Sequence, residues 1–343
     1  MELTQARETK KQLSDFARDL AERHGVPLAP YSLGEDVSAA DVVRAPTLSL
    51  GLAPQSGGGY GIAVRYRLGV PTARAFVRRV TAEVGPQVDV RRTGRIRTLE
   101  GKARPRPPVA TALAAGETDR VRPLRPGASI AHVDVTAGTL GAFVARADEP
   151  DARYVLSNFH VLAGSPSARE GDVVLQPGPA DGGRDPADRV GTLSQVAPLA
   201  PGEPATVDAA LALLDDGVGT DPAYPVGRVT TTAEAVGRES VAKIGRTTAL
   251  TAGTVTAIEL DDVVVGYGDE LGVLSFDGQI EVESTGEGPF SRGGDSGSLV
   301  YREDGVALGL LFAGSETGGT NGTGLTYCNP IDAVLAALGV ALA

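Results

Sequence analysis

From about residue 128 onward, the chain consists of short apolar stretches separated by glycine, aspartate and proline, and this pattern limits the fold most strongly. Typical stretches are SIAHVDV, RYVLSNFHVLA, TVDAALALL, SVAKIGRT, GQIEVES and GVALGLLFAG. Many short strands with turn residues at roughly 8–20-residue spacing are typical of an all-β barrel or sandwich. The final stretch, NPIDAVLAALGVALA, is different, because its apolar residues recur at helical spacing, Asn329 can cap a helix and Pro330 fits a first turn. We therefore predict a mainly β domain that ends in a helix.

The first hundred residues follow another pattern. Apolar side chains recur at helical spacing over residues 3–24 and predict an amphipathic helix that is ended by Gly25 and Pro27. We expect irregular structure over residues 28–59. The stretches GIAVRYRLG, PTARAFVRRVTAEVG and QVDVRRTGRIRTL then alternate strand, helix and strand patterns. They predict a small β-α-β module over residues 60–98.

Charge and proline content indicate where the two parts of the chain meet. Residues 102–125 are rich in proline and predict an extended linker. Residues 1–125 hold 21 Lys and Arg against 13 Asp and Glu, a net charge of +8, whereas residues 126–343 carry −19. We therefore predict a basic N-terminal region over residues 1–110, with the linker at 102–125, and an acidic β domain over residues 126–343.

Composition narrows the class of protein. No apolar run reaches the roughly 18 residues that cross a bilayer, and the charged N-terminus lacks the apolar stretch of a secretory signal. We therefore expect a soluble cytoplasmic protein without membrane contact. The single cysteine, Cys328, has no partner for an intrachain disulfide, and three scattered histidines do not have metal-ligand spacing. We expect no metal site and no cofactor.

The stretch FSRGGDSGSLV, residues 290–300, places Ser296 in a cluster that is either a simple turn or the setting of a nucleophile. A nucleophilic serine needs a histidine as base. His24 lies in the N-terminal helix and His132 lies near the start of the β region, whereas His160 follows the end of an apolar strand. A side chain at a strand end can project into a cleft, so His160 is the best candidate base.

The base in turn needs an acid that orients it. Asp208 is enclosed by apolar neighbours in TVDAALALL, where an unpaired charge would be costly. Asp181, Asp185 and Asp188 lie in the Gly/Pro-rich loop QPGPADGGRDPADR, where we expect them to be solvated. Asp208 on an edge strand facing water remains the alternative to a catalytic role.

The order of these residues along the chain separates the serine-hydrolase architectures. An α/β-hydrolase needs a histidine after its serine, and no histidine follows Ser296. A subtilisin-like order needs an aspartate before the histidine; Asp134 has that position, but nothing around His160 or Ser296 supports that arrangement. The order His160, Asp208, Ser296 is the chymotrypsin order, with separations of 48 and 88 residues.

With these residues in place, the chain resembles the trypsin-like serine peptidases. LSNFHVLA resembles their histidine motif, TVDAALALL their aspartate strand and GGDSGSLV their nucleophile loop, and the resemblance covers residues 128–343. KIGRTTALTAGTVTAI and GLLFAGSETGGT are further similar to a bacterial branch that lacks disulfides and signal peptides, to which the plant narrow-leaf protein is also similar. The resemblance implies a double six-stranded β-barrel with the site in the cleft between the barrels. The chain departs from the family at Phe159, where asparagine is common.

The resemblance also implies residue roles. Ser296 would attack the carbonyl, His160 would shuttle the proton, Asp208 would orient His160, and the amides of Gly294 and Ser296 would form the oxyanion hole. Asp295 would hold the loop through a partner that the sequence does not identify.

Substrate contacts are implied as well, because the family cleaves protein or peptide substrates. Phe290 falls where the primary specificity pocket has its base, and Phe312, Ala313 and Gly314 match the strand that pairs with the substrate backbone. An aromatic base predicts small or medium apolar residues at the primary position; the alternative is that Phe290 packs inside the barrel.

The basic segment RRTGRIRTLEGKARPRP, residues 91–107, predicts docking on an acidic surface, either in its own chain or in a neighbour as a homo-oligomer. The lack of interleaved aromatic residues and the acidic total charge argue against nucleic acid as a partner. Two functions therefore remain. One is an intracellular serine endopeptidase of narrow or regulated specificity, and the other is a latent trypsin-like scaffold that binds a protein partner through its cleft.

Overall fold

The computed structural model describes residues 1–24, 48–67, 71–98, 114–267 and 271–343. The α-helices in these ranges are α1 Leu3–His24, α2 Pro71–Val84, α3 Phe159–Leu162 and α4 Ile331–Leu338. The strands of the first half are β1 Leu48–Pro54, β2 Tyr60–Tyr66, β3 Val88–Arg92, β4 Ile96–Thr98, β5 Ser129–His132, β6 Gly138–Thr139, β7 Ala142–Arg146, β8 Glu149–Ser157, β9 Val173–Leu175, β10 Arg189–Val196, β11 Ala210–Leu214, β12 Ala223–Tyr224 and β13 Gly227–Arg228. The remaining strands are β14 Thr231–Thr232, β15 Ser240–Gly245, β16 Ala249–Asp261, β17 Val263–Gly266, β18 Val273–Phe276, β19 Gln279–Ser284, β20 Leu299–Arg302, β21 Val306–Gly318, β22 Gly324–Pro330 and β23 Ala341–Leu342.

Six strands of the C-terminal half close into a barrel. Their order is β15, β16, β19, β22, β21 and β20, and β20 pairs back to β15 through Ala242 and Tyr301. Over residues 253–257 of β16 burial alternates, so Val255 and Ala257 are buried while Thr254 and Thr256 are partly exposed. The closed barrel matches the sequence-based prediction.

The preceding half forms an open sheet of eight strands in the order β23, β7, β8, β11, β10, β9, β5 and β6. The mainly β, chymotrypsin-like fold class is therefore confirmed, with the difference that this half is an open half-barrel and not a closed one. The last strand, β23, pairs with β7 after helix α4, so the C-terminus returns across the molecule to the first half. Ile331, Val334 and Leu338 of α4 are buried, as the predicted apolar stripe requires.

The N-terminal region extends the C-terminal barrel. Strand β2, helix α2 and parallel strand β3 form the predicted β-α-β unit. The prediction that residues 28–59 are irregular is wrong for residues 48–54, because β1 pairs with β2 on one side and with barrel strand β16 on the other. Residues 25–47 lie outside the described residues. Since β1 is buried along almost its whole length, it lacks the alternating pattern that marks a half-exposed strand.

A buried ion-pair network fixes this region to the barrel. The Arg65 guanidinium donates to both carboxylate oxygens of Glu281 at 2.7 Å, and both side chains are almost fully buried. Asp89 also accepts from Arg65 at 2.8 Å, and Arg91 pairs with Glu283 at 2.6 Å. Burial alone would lower the pKa of Arg65, but the neighbouring carboxylates of Glu281 and Asp89 raise it above its ordinary value. The guanidinium therefore stays charged.

The chain that follows β3 crosses to the barrel. Strand β4 lies between β17 and β21, where it pairs in parallel with the first and antiparallel with the second. Of the predicted linker at 102–125, residues 102–113 lie outside the described residues. From residue 114 onward the chain packs on the β domain, and Leu124 is fully buried. The domain boundaries stay a prediction. None of the described helices is both long and apolar enough to cross a membrane.

Candidate active site

The predicted base and its acid meet at the end of the open sheet. Strand β8 ends at Ser157, and the short helix α3 that follows carries His160. Asp208 lies two residues before the start of β11, which pairs with β8, so the two side chains are brought to the same edge of the sheet. His160 Nδ1 is hydrogen-bonded to Asp208 Oδ2, and Asp208 is fully buried. A buried carboxylate at Nδ1 holds the imidazole with Nε2 available for proton transfer.

The backbone around Asp208 is fixed by two buried asparagines. Asn158 Nδ2 donates to the Asp208 carbonyl at 2.7 Å, and Asn329 Oδ1 accepts from the Asp208 amide at 2.9 Å. The prediction that Asn329 caps the C-terminal helix is wrong, because Pro330 occupies the cap position and the Asn329 side chain points to Asp208. The helical pattern of the sequence therefore hid the contact between Asn329 and Asp208.

Tyr267 supplies a further contact to the acid. Its hydroxyl donates to Asp208 Oδ2 at 2.5 Å, and its ring lies edge-on to the His160 imidazole with a centroid separation of 6.0 Å. Burial, together with the charge of Asp208, raises the pKa of the Tyr267 hydroxyl well above its ordinary value. It therefore remains a donor at alkaline pH. Sequence reasoning missed Tyr267, which lies 59 residues beyond Asp208 at the end of β17 and carries no local motif.

The nucleophile loop lies between the two halves of the fold. The Ser296 carbonyl accepts from the Thr139 amide at 2.8 Å, and the Gly297 amide donates to the Leu311 carbonyl at 2.8 Å. In the part of the chain that the structure describes, the amides of Gly294 and Ser296 find no hydrogen-bond acceptor. Two unpartnered amides beside a serine are what an oxyanion hole requires.

Position 294 of this loop requires glycine. Its φ angle is 92°, in the left-handed region that favours glycine. A Cβ atom there would lie 2.5 Å from Thr247 Oγ1 and 2.8 Å from Arg246 Nη1. The Thr139 hydroxyl donates to the Gly294 carbonyl at 2.8 Å and fixes the orientation of the peptide.

The sequence does not identify the partner of Asp295. In the structure this partner is the buried Lys243. The two charged groups are 3.3 Å apart and neither side chain is exposed. The carboxylate also accepts from the amides of Thr247, Thr248 and Arg292 at 2.9–3.0 Å and from the Thr248 hydroxyl at 2.7 Å. Burial lowers the pKa of the Lys243 ammonium, although the charge of Asp295 opposes this shift.

A second buried ion pair supports the same loop. Arg246 is paired with Asp181, which also accepts from the Ser129 hydroxyl at 2.6 Å. The expectation that Asp181 is solvated is wrong, because its side chain is only 2% exposed. The guanidinium that it neutralises lies directly behind Gly294. A loop rich in Gly and Pro gave no local signal of this contact.

Ser296 Oγ and His160 Nε2 are enclosed and are not hydrogen-bonded to each other. Ser296 is fully buried and His160 is 7% exposed. Ser296 Oγ and His160 Nε2 each lack a hydrogen-bond partner within the described chain. The structure thus brings Asp208 to His160 and places Ser296 in a supported loop, without a hydrogen bond between nucleophile and base.

The residues predicted to bind substrate have different surroundings. Phe290 is 1% exposed and belongs to the apolar interior of the closed barrel, together with Val255, Val282 and Leu311. Its role as the base of a specificity pocket stays a prediction. Phe312 and Ala313 are fully buried on β21, and the edge of Ala313 and Gly314 is paired with β4.

Among the described residues, no group of three or more histidine, cysteine or acidic side chains is arranged to hold a metal ion. If His160, Asp208 and Ser296 have the predicted roles, the site would supply the components of acyl transfer: a nucleophile, a base with its orienting acid, and backbone donors.

Comparisons with known proteins found similar chains among solved structures only. No protein family model and no curated protein sequence matches the chain. Among solved structures, a glutamic acid-specific serine protease is 24% identical, with 64% of this chain and all of that chain covered and a TM-score of 0.43. Cellulomonas bogoriensis chymotrypsin is 19% identical, with 64% and 99% covered and a TM-score of 0.43, and the Nocardiopsis protease is 16% identical, with the same coverage and a TM-score of 0.45. These structures are chymotrypsin-fold serine proteases. At such identities the likeness is one of fold alone.

Proposed function

We propose that this protein is a serine endopeptidase in which His160, Asp208 and Ser296 act as a catalytic triad on protein or peptide substrates. The observation that carries the proposal is the buried His160–Asp208 pair beside a serine loop with two unpartnered amides. Burying a charged carboxylate is costly unless it is paired and hydrogen-bonded, and this one has His160, Tyr267 and a backbone amide as donors.

The reaction proceeds through an acyl-enzyme. Ser296 Oγ attacks the scissile carbonyl carbon as its proton passes to His160 Nε2, and the carbonyl electrons move onto the oxygen. The amides of Gly294 and Ser296 stabilise this oxyanion, each donor contributing on the order of 3 kcal/mol. The C–N bond then breaks and the leaving amine takes the proton from His160. Water repeats the sequence on the ester, again with His160 as base, and releases the acid.

Asp208 acts through His160 and does not itself take the proton. Its contact with Nδ1 fixes the tautomer and stabilises the imidazolium that forms during each step. Asn158, Asn329 and Tyr267 are positioning residues, because they contact Asp208 and not the substrate.

A second candidate function is a latent scaffold that binds a protein partner through its cleft. It is favoured by one observation, that Ser296 Oγ and His160 Nε2 are buried without a hydrogen bond to each other. Geometry of this kind in a ligand-free protein does not exclude catalysis, since catalytic hydrogen bonds often form only in the substrate complex.

A fluorophosphonate probe separates the two functions, because it reacts covalently with an activated serine. We expect stoichiometric labelling of the native protein and loss of labelling in Ser296→Ala. Ser298→Ala is the matched control, since this neighbouring serine donates to the Asp295 carbonyl in the same loop. Absence of labelling in folded native protein would favour the scaffold.

Location, assembly and selectivity belong to the same proposal. We infer a cytoplasmic enzyme of narrow specificity that prefers small or medium apolar residues at the primary position. A peptide-library profile dominated by arginine or lysine would contradict that preference. Of the basic segment 91–107, the structure describes residues 91–98, in which Arg91 and Arg97 pair with Glu283 and Glu316 of the same chain. A homo-oligomer held by such charges should change its sedimentation mass between low and high salt.

A further inference from the structure

The outer part of β21 is the edge to which a substrate backbone would pair, and it carries strand β4 of the same chain. Strand β20 pairs with β21 only as far as Leu310. Beyond that point β4 takes over the same side, with Thr98, Arg97 and Ile96 antiparallel to residues 313–315, while β22 covers the opposite side. Antiparallel pairing at a strand edge is the way an extended peptide binds by β-augmentation.

The pairing continues past β4 toward the module. The amide of Glu316 donates to the Arg95 carbonyl at 3.1 Å, and the amide of Thr317 donates to the Thr93 carbonyl at 3.0 Å. On its other side, β4 is paired in parallel with Gly266 of β17, the strand that leads to Tyr267. The segment therefore fills the whole space between the β21 edge and the hairpin that contacts the triad.

Side chains of β4 behave as those of a bound peptide would. Ile96 is 9% exposed and belongs to the same apolar cluster as Ala313 and Tyr327. Arg97 points outward and pairs with Glu316 at 3.2 Å, where both side chains are about half exposed. An exposed ion pair contributes little. Backbone hydrogen bonds and one apolar contact thus hold a strand of three residues.

We infer that β4 is an intramolecular occupant of the peptide-binding edge and that the protease is autoinhibited at rest. This inference rests on the proposed function. A segment tethered within the same chain competes at an effective concentration in the millimolar range, so a free peptide must displace it. The enclosed state of Ser296 and His160 agrees with a cleft that is not open to substrate. The occupant also indicates the ligand class, an extended segment that pairs with β21 through its backbone and places an apolar side chain where Ile96 lies.

Arg97→Pro tests the inference. The substitution removes the backbone amide in the middle of β4 but leaves the buried core untouched, because the Arg97 side chain is exposed. Arg97→Ala is the matched control, since it removes the pair with Glu316 and keeps the amide. We expect kcat/KM for a four-residue peptide ester to rise about tenfold or more in Arg97→Pro. Arg97→Ala should stay close to the native protein.

A second measurement needs no variant. In the native protein, lengthening an ester substrate from one residue to four on the acyl side should bring little gain in kcat/KM, because β4 holds the edge that the added residues need. A gain of about tenfold in the native protein would show a free edge and overturn the inference.

Fluorophosphonate labelling of Ser296 keeps the two proposals apart, because this small probe does not need the β21 edge. If both the native protein and Arg97→Pro are labelled and turn over the peptide at equal rates, the inference of autoinhibition is overturned. The proposed protease function is then still supported. Absence of labelling in both folded proteins would contradict the proposed protease function, and with it the inference of autoinhibition.

Discussion

At the scale of single residues, Tyr267 adds a contact to the buried pair of His160 and Asp208. Its hydroxyl donates to the same Asp208 oxygen that contacts His160 Nδ1. A carboxylate oxygen that accepts from two donors is held in one orientation. Tyr267 should therefore fix the position of Asp208, and through it that of His160, without contacting the substrate.

Tyr267→Phe tests this role. We expect kcat to fall about tenfold with little change in KM, because the loss of one buried hydrogen bond to a charged group is worth roughly 1.5–3 kcal/mol. Tyr154→Phe is the control: its hydroxyl also donates to a carboxylate, that of Glu149, away from the site. An equal fall in kcat in Tyr154→Phe would contradict a role for the contact between Tyr267 and Asp208.

Asp262 gives the chain a pH-dependent stability. Burial, with the nearby charges of Asp277 and Asp261, raises the pKa of Asp262 to about 6, against the opposing influence of Arg18 and Lys10. The folded protein therefore binds the proton more tightly than the unfolded chain, in which this carboxyl has its ordinary pKa of 3.8. The stabilisation is complete below about pH 4 and is lost as the pH rises through 6.

Asp262→Asn should therefore stabilise the protein at pH 7.5 by about 1–3 kcal/mol and have almost no effect at pH 4. Asparagine suits the site because the φ angle of 57° is one that it tolerates. Denaturant unfolding at the two pH values measures the difference. Asp151→Asn, at an exposed aspartate, should be neutral at both; equal effects of Asp262→Asn at the two pH values would contradict the account.

At the scale of elements, the nucleophile loop depends on the buried pair of Lys243 and Asp295. Removing one partner leaves a charge without compensation inside the protein. We expect Lys243→Met to lower the free energy of unfolding by about 3–5 kcal/mol and to abolish labelling of Ser296. The double variant Lys243→Met/Asp295→Asn should recover part of the stability. If the double variant is as unstable as the sum of the single variants, the two groups are not coupled.

The same pair gives a pH dependence of activity. Because burial lowers the pKa of Lys243, the ammonium should lose its proton below the ordinary lysine value of 10.5. The loop then loses its cation, and labelling of Ser296 should decline at alkaline pH. Tyr267 remains protonated there, so the decline reports on Lys243.

How far the sequence predicted these elements depends on the range of the interactions. The strand and loop that carry His160 and Ser296 were predictable, because each lies in a local motif and their order along the chain excludes other architectures. Lys243 also left a signal, since it occupies an inward position of the alternating strand β15. Tyr267 and the pairing of Asp181 were not predictable, because each depends on a contact between distant segments.

Strands β1 and β4 were missed or misplaced for a related reason. β1 is short, contains Gly51 and is buried on both faces, so it shows no alternation. It is a strand because β16 offers it an edge. β4 was predicted as part of the module, but its partners are β17 and β21. Neither the open form of the first half nor these pairings follow from local pattern.

At the scale of the whole molecule, the basic N-terminal region and the acidic β domain meet through specific pairs. Arg65, Arg91 and Arg97 contact Glu281, Glu283 and Glu316, so the charge asymmetry of the sequence is used within one chain. The Arg65–Glu281 pair is buried, while Arg97–Glu316 is exposed. The module should therefore be bound firmly at β2 and loosely at β4.

Arg65→Met tests the firm attachment of the module at β2. We expect a loss of about 3–5 kcal/mol in the free energy of unfolding, because Glu281 is left buried without its cation. Arg189→Met, which breaks an exposed pair with Asp215, should cost less than about 1 kcal/mol. Unfolding in guanidinium chloride measures both losses in the free energy of unfolding. Similar small losses in the two variants would show that the module is not anchored by this pair.

The central claim, that peptide bonds are cleaved through an ester on Ser296, is tested most directly by intact-protein mass spectrometry. The protein is mixed with an activated single-residue ester and quenched in acid, which preserves an acyl-serine. We predict a mass gain equal to one acyl group, located on the peptide that contains Ser296 and absent from Ser296→Ala. An equal gain in Ser296→Ala, or peptide hydrolysis by the native protein without any trapped acyl group, would contradict the claim.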